Sequence, residues 1–169
     1  MSLQDLLLRS RSEIVEQWFH SLLASYPADT ARFLDSESDP FRNPVGQTSR
    51  KALESLFTGI IGAQPVNELR APLDEIIRIR AVQDFTATDA VGFMMQLKPL
   101  LRDRLRGTAA TNGNANHLRE LEARIDAATL LAFDIYVECR EQFYAIKANA
   151  TRRRTEILLE HMNRKGGGD

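Results

Sequence analysis

Apolar residues recur along this chain at steps of three and four, and that rhythm predicts helices almost throughout. Leu3, Leu6, Leu7, Ser10, Ile14, Trp18, Leu22 and Leu23 fall near one face, so the opening segment reads as one helix. Tyr26-Pro27 stops it, because the residue before proline disfavours the helical region. A short piece over 29–34 follows. The stretch DPFRNPVGQT then holds two capping residues, Asp39 and Asn43, each followed by a proline suited to a first helical position. Two helix starts so close together imply a tight corner. The helix beyond carries Ala52, Leu53, Leu56, Phe57, Ile60 and Ile61, and Gly62 and Pro65 end it.

The segment from about Val66 to Gln83 carries two apolar stripes. Leu69, Leu73, Ile76, Ile77 and Ala81 form one, and Ile79 and Val82 the other. Such a helix is expected to be wedged between neighbours on both sides. Thr86, with Asp89 three residues on, has the spacing of a capping box. The helix it opens carries Val91, Phe93, Met94, Leu97, Leu101 and Leu105, and Pro99 should kink it near Met95.

Residues 107–116, GTAATNGNAN, read as a loop. From His117 to Lys165 there is neither Gly nor Pro. One helix over that span would be on the order of 70 Å long. Its seam runs Leu118, Leu121, Ile125, Ala128, Ala132, Ile135 and Cys139, then Phe143, Ile146 and Ala150 after a stutter. The arginines at 152–154 interrupt it. That seam is longer than a small domain needs, so a homodimer is expected, paired through Ile135, Cys139, Phe143 and Ile146. Its four-helix core would come from residues 117–150 and part of 88–106.

Composition narrows the function classes. At 169 residues with 43% hydrophobic content, the chain suits one packed domain with an appendage. The net charge of −1 gives no field toward nucleic acid or anionic lipid. The tail from Arg140 has seven cations against four anions, too weak a surplus for nucleic-acid binding. No signal peptide or membrane span is read, so a cytoplasmic protein is expected. A single cysteine excludes an internal disulfide. There is no Gly-rich phosphate loop, no CxxC and no histidine pair at ligand spacing, so no catalytic, metal or cofactor residues are assigned. Trp18 reads as a core anchor, and Cys139 as a small buried hydrophobe with a redox thiol as the alternative. Arg78 and Arg80 have Asp74 and Asp84 at helical spacing, which favours a structural corner of Arg78, Arg80, Asp84, Thr86 and Asp89 over an anion-binding pocket.

Three stretches carry a resemblance: DPFRNPVGQT at 39–48, LDEIIRIRAVQDFTATDAVGFMMQLK at 73–98 and FDIYVECREQFYAIKAN at 133–149. Over roughly residues 5–153 the chain resembles the N-terminal domain of RsbR-type proteins, the RsbT co-antagonists of the bacterial stressosome. The resemblance implies an all-α, globin-like bundle without haem over 1–150, ending in a long C-terminal helix. It also implies pairing through the last helices and a signal passed on to a STAS domain. Independently, no histidine lies between His20 and His117 to serve as a proximal ligand in a middle helix. Residues 151–169 read as a linker-helix extension and tail with no STAS domain, so the chain is either a stand-alone version or a piece ending after the linker. Pro99 departs from the family pattern. The expected function is a non-enzymatic, dimeric sensory module with STAS-domain, anti-sigma or kinase signalling partners. A helical adaptor acting through the C-terminal helix is the alternative, and a small-molecule or redox-binding regulatory domain a further one.

Overall fold

The computed structural model describes residues 3–106 and 112–166. Among them are eight α-helices, one 3-10 turn and no strand: α1 Leu3–Arg9, α2 Arg11–Leu23, α3 Ala28–Ser36, α4 Pro44–Ile61, the turn Val66–Leu69, α5 Arg70–Val82, α6 Ala87–Val91, α7 Phe93–Arg104 and α8 Asn112–Gly166. The class is the expected all-α bundle with a long last helix. α8 packs on α5, α6 and α7, and α2 packs on α4 and α7. Trp18, Phe19, Phe57, Leu73, Ile77, Met94 and Leu121 fill the space between them and are fully buried.

Asn43 fixes the corner before α4. Its Oδ1 accepts from Gly46 N at 2.9 Å, while its amide nitrogen donates to the carbonyls of Leu34 and Glu37, each at 2.9 Å. Gly46 is needed there, since a Cβ would lie 2.6 Å from the Leu34 oxygen. Asp39 does not start a helix as its spacing suggested. Its carboxylate accepts from Phe41 N at 2.9 Å, closing a turn that delivers the chain to Asn43.

Three other differences concern where helices break or begin. The opening helix is interrupted at Ser10, whose buried hydroxyl accepts from Arg104 Nε at 2.6 Å and so ties the joint to the end of α7. The helix after Thr86 is interrupted at Gly92, not near Met95, and α7 runs on through Pro99. A Cβ at Gly92 would meet the Thr88 oxygen at 2.5 Å. One residue later, Trp18 Nε1 donates to the Phe93 carbonyl at 2.7 Å. The loop expected over 107–116 gives way to helix by Asn112, and its remainder, 107–111, lies outside the described residues.

The wedge expected of α5 is only half present. Its first stripe, Leu69 to Ala81, is buried, but Ile79 is half-exposed and Val82 is 49% exposed. The second buried side belongs to Arg80. Hydrophobic patterning passes over that position, because an arginine is read as a solvent residue unless its partners are known.

α8 has 55 residues, about 80 Å of helix. Its seam is buried from Leu121 through Cys139, Phe143 is partly covered, and every residue from Tyr144 to Lys165 is exposed. The helix therefore leaves its own domain just past Cys139. No described helix is long and apolar enough to cross a membrane.

Candidate functional site

The corner between α5 and α6 is held by long-range contacts that residue spacing does not reveal. α5 ends at Val82, and Asp84 sits at φ 59°, a left-handed conformation that aspartate tolerates better than most residues. Thr86 restarts the chain: its Oγ1 accepts from Asp89 N at 3.2 Å and donates to the Asp89 carboxylate at 2.8 Å. That is half of the expected capping box, since the carboxylate takes the hydroxyl. Arg140 on α8 donates to the Ala81 carbonyl and to Asp84 Oδ1, both at 2.9 Å, placing a cation at the C-terminal end of α5. Tyr136 OH donates to the Phe85 carbonyl at 2.5 Å. The hydrogen bond from Arg140 holds the Asp84 carboxyl below the ordinary carboxylate range.

The expected arginine pairings divide. Arg78 meets Asp74 through two hydrogen bonds, at 3.0 and 3.1 Å, on the surface. Arg80 does not meet Asp84, which is taken by Arg140. Arg80 is 1% exposed. Its Nη2 donates to Ser25 Oγ and, at 2.6 Å, to the Asp89 carbonyl. Its Cζ lies 4.3 Å from the Phe85 ring centroid and 5.2 Å from that of Tyr26. Nε and Nη1 have no hydrogen-bond partner, and no carboxylate pairs with the guanidinium among the described residues. Burial lowers the Arg80 pKa and raises that of the Tyr26 phenol.

Beside Arg80 lies an open cleft of about 480 Å³ between α2 and the α6–α7 segment. Ser21, Ser25, Arg80, Thr88, Asp89 and Gln96 supply its polar groups. Tyr26 and Phe85 flank Arg80, and Tyr136 and Arg140 tie the corner to α8, groupings that sequence spacing does not show. Arg140 is 56 residues from Asp84 and Tyr26 is 54 from Arg80, separations that leave no local signature.

The four residues expected to pair two copies are not on one surface. Ile135 and Cys139 are buried in the chain's own core, Phe143 is half-covered and Ile146 is 68% exposed. The first two are therefore taken by α8's inner side. The opposite side of α8 carries Leu130, 69% exposed, with Phe133, Val137 and Tyr144 also exposed. Met95 of α7, 3.6 Å from Thr129 through its sulfur, extends that apolar strip.

Burial raises the Cys139 thiol above its ordinary range, which disfavours the reactive thiolate. Glu16, His20 and Asp35 bring their ligand atoms within 4.8 Å of one another. Arg50 is ion-paired to both carboxylates and lies at 2.8 Å from Asp35, so the cluster already holds a cation of its own.

The described residues form a helical body with a polar corner between α5 and α6 and a last helix that runs out of the fold. The family profile of the RsbT co-antagonist protein rsbRD N-terminal domain matches residues 12–151, and the chain belongs to that family, a domain of stressosome-type signalling. No curated protein and no solved structure gives a match.

Proposed function

We propose that the chain is a dimeric, haem-free sensory module of stressosome-type signalling, cytoplasmic and without catalysis of its own. Its globular unit spans 1–150, and 151–169 is the linker toward a STAS-domain or kinase partner. The observation that carries this proposal is the two-sidedness of α8. One side completes the domain's core up to Cys139, while the other exposes Leu130, Phe133 and Val137. A contiguous apolar strip of that kind marks an interface. Two copies joined along it would send both C-terminal halves of α8 out from the paired bodies, so a change in the body alters the spacing of two long helices. The corner residues Arg80, Asp84, Thr86 and Asp89 then set how α5 and α6 meet that helix, while Arg78 braces the α5 surface through Asp74.

The absence of haem is supported by the histidines: His20 and His161 are exposed and His117 is half-exposed. Reconstitution with haem should give no stoichiometric Soret band, and a sharp band would overturn this part. Sedimentation at micromolar concentration tests the dimer, with a monomer of 19.1 kDa as the refuting result. The adaptor reading is supported by Ile157, Leu158, Leu159 and Met162, all exposed on the protruding half of α8. Chains cut back to residue 150 separate the two: an adaptor loses its partner and nothing else, whereas a sensor keeps its dimer and any ligand response.

A further inference from the structure

A buried guanidinium ordinarily has a carboxylate beside it, because removing a cation from water costs several kcal/mol that an ion pair must offset. Arg80 has two aromatic faces, one hydroxyl and one carbonyl, and two of its nitrogens have no acceptor. The aromatic faces cover the plane of the guanidinium and leave its hydrogen-bonding edges as the unmet demand. Arg80 is also a wall of the 480 Å³ cleft, whose other polar lining residues are Ser21, Ser25, Thr88, Gln96 and the acidic Asp89. A bound anion would therefore meet a complementary charge at Arg80 and a repulsive one at Asp89.

We propose that this cleft binds a small zwitterion of the free amino acid class, its carboxylate on Arg80 and its ammonium on Asp89. The pairing of charges in one lining selects it. A dianion such as phosphate would be opposed by Asp89, and a simple carboxylate would leave Asp89 unused. Ser25 is the moving part. Its hydroxyl now accepts from Arg80 Nη2 and donates to the Leu22 carbonyl at 2.8 Å, and rotation of that side chain frees Nη2 for a ligand oxygen. Thr88 and Gln96, both exposed at the rim, supply neutral hydrogen bonds that fix orientation. Asp89 is also bonded to Thr86 at the start of α6, and its carbonyl to Arg80, so occupancy acts on the α5–α6 corner that α8 clamps. The sensory proposal is needed only to call this ligand an input; binding is tested without it.

The test is thermal unfolding of the full chain with each common amino acid, and with acetate, methylamine and phosphate at matched ionic strength. Titration calorimetry then follows on any hit. At least one amino acid should raise the midpoint saturably, as a ligand of the native state must. Acetate, methylamine and phosphate should not. Arg80→Lys should weaken the hit at least tenfold. Ser21→Phe, at a half-exposed position on the cleft wall, should abolish it with the fold retained, and it decides the matter if Arg80→Lys fails to fold. A panel with no saturable shift overturns the proposal. So does a hit that survives Ser21→Phe, or a response to phosphate equal to that of the amino acids. Dimerisation and partner binding are read separately, so a failure here leaves the signalling proposal standing.

Discussion

The guanidinium carbon of Arg80 lies 4.3 Å from the centre of the Phe85 ring, and the two residues bracket the end of α5. Phe85 in turn meets Tyr26 edge-on, with centroids 5.0 Å apart at 72°. A charged side chain, two aromatics and the start of α6 thus share one small volume. A double-mutant cycle with Arg80→Lys and Phe85→Leu, followed by urea unfolding, should show a coupling of roughly 0.5–2 kcal/mol. Arg80→Lys alone should cost about 1–3 kcal/mol, since an ammonium cannot reach Ser25 and the Asp89 carbonyl with the geometry of a planar fork. Strict additivity would mean that the stack contributes nothing.

Trp18 anchors the break between α6 and α7 through its indole bond to Phe93. Trp18→Phe keeps an aromatic there but removes the donor and leaves a void. It should cost about 1–3 kcal/mol in denaturant unfolding. A variant as stable as the parent would show that the hydrogen bond does not position α7.

Asp84 and Arg140 make the corner sensitive to acid. The Asp84 carboxyl is depressed below 3.8 in the folded chain, chiefly by the Arg140 hydrogen bond. Its stabilising effect is therefore complete above the ordinary carboxylate pKa and is lost as pH falls through the depressed folded value. Asp84→Asn preserves the tolerance for a left-handed backbone and removes the charge. The melting-point gap between parent and variant should be constant from pH 7 to about 5 and close toward pH 3. A gap that does not change with pH would assign the effect to shape, not charge.

The sequence made the helices legible because each buries one regular stripe, and Asn43 and Thr86 announced their caps by residue type and spacing. The breaks at Ser10 and Gly92 were not legible. One depends on Arg104, 94 residues away, and the other on a missing Cβ beside Thr88. The site was legible only in part. Arg78 found Asp74 because both lie on one helix, whereas Arg80 found its partners in the turn after α2 and on α6. The seam of α8 is continuous in sequence, yet it changes role at Cys139, where α5 crosses it, and periodicity carries no record of where neighbours stop.

Cys139 should behave as a core residue. Burial raises its thiol pKa and the side chain is 5% exposed. In the folded chain, labelling by a disulfide reagent at pH 8 should be slower by at least tenfold than in denaturant. Rapid native labelling would restore the redox alternative.

The outer side of α8 and its inner seam make opposite predictions for the same chemical change. Leu130 and Val137 are exposed on one chain and lie seven residues apart, so they recur on one face of the helix. Ile135 lies on the inner seam and is fully buried. A glutamate at Leu130 or Val137 enters water in a monomer but an apolar contact in the proposed dimer. Val137→Glu should therefore leave the monomer's helical content and folding intact while shifting sedimentation from dimer to monomer. Ile135→Glu should unfold the domain, because the charge has no partner in the core. Tyr144 continues the outer strip, but Arg140 and Lys147 flank it, so close pairing should loosen beyond that point and Ile146→Glu should have little effect on assembly. Dissociation by Ile146→Glu but not by Val137→Glu would move the interface to the protruding half of α8 and refute pairing along the domain body.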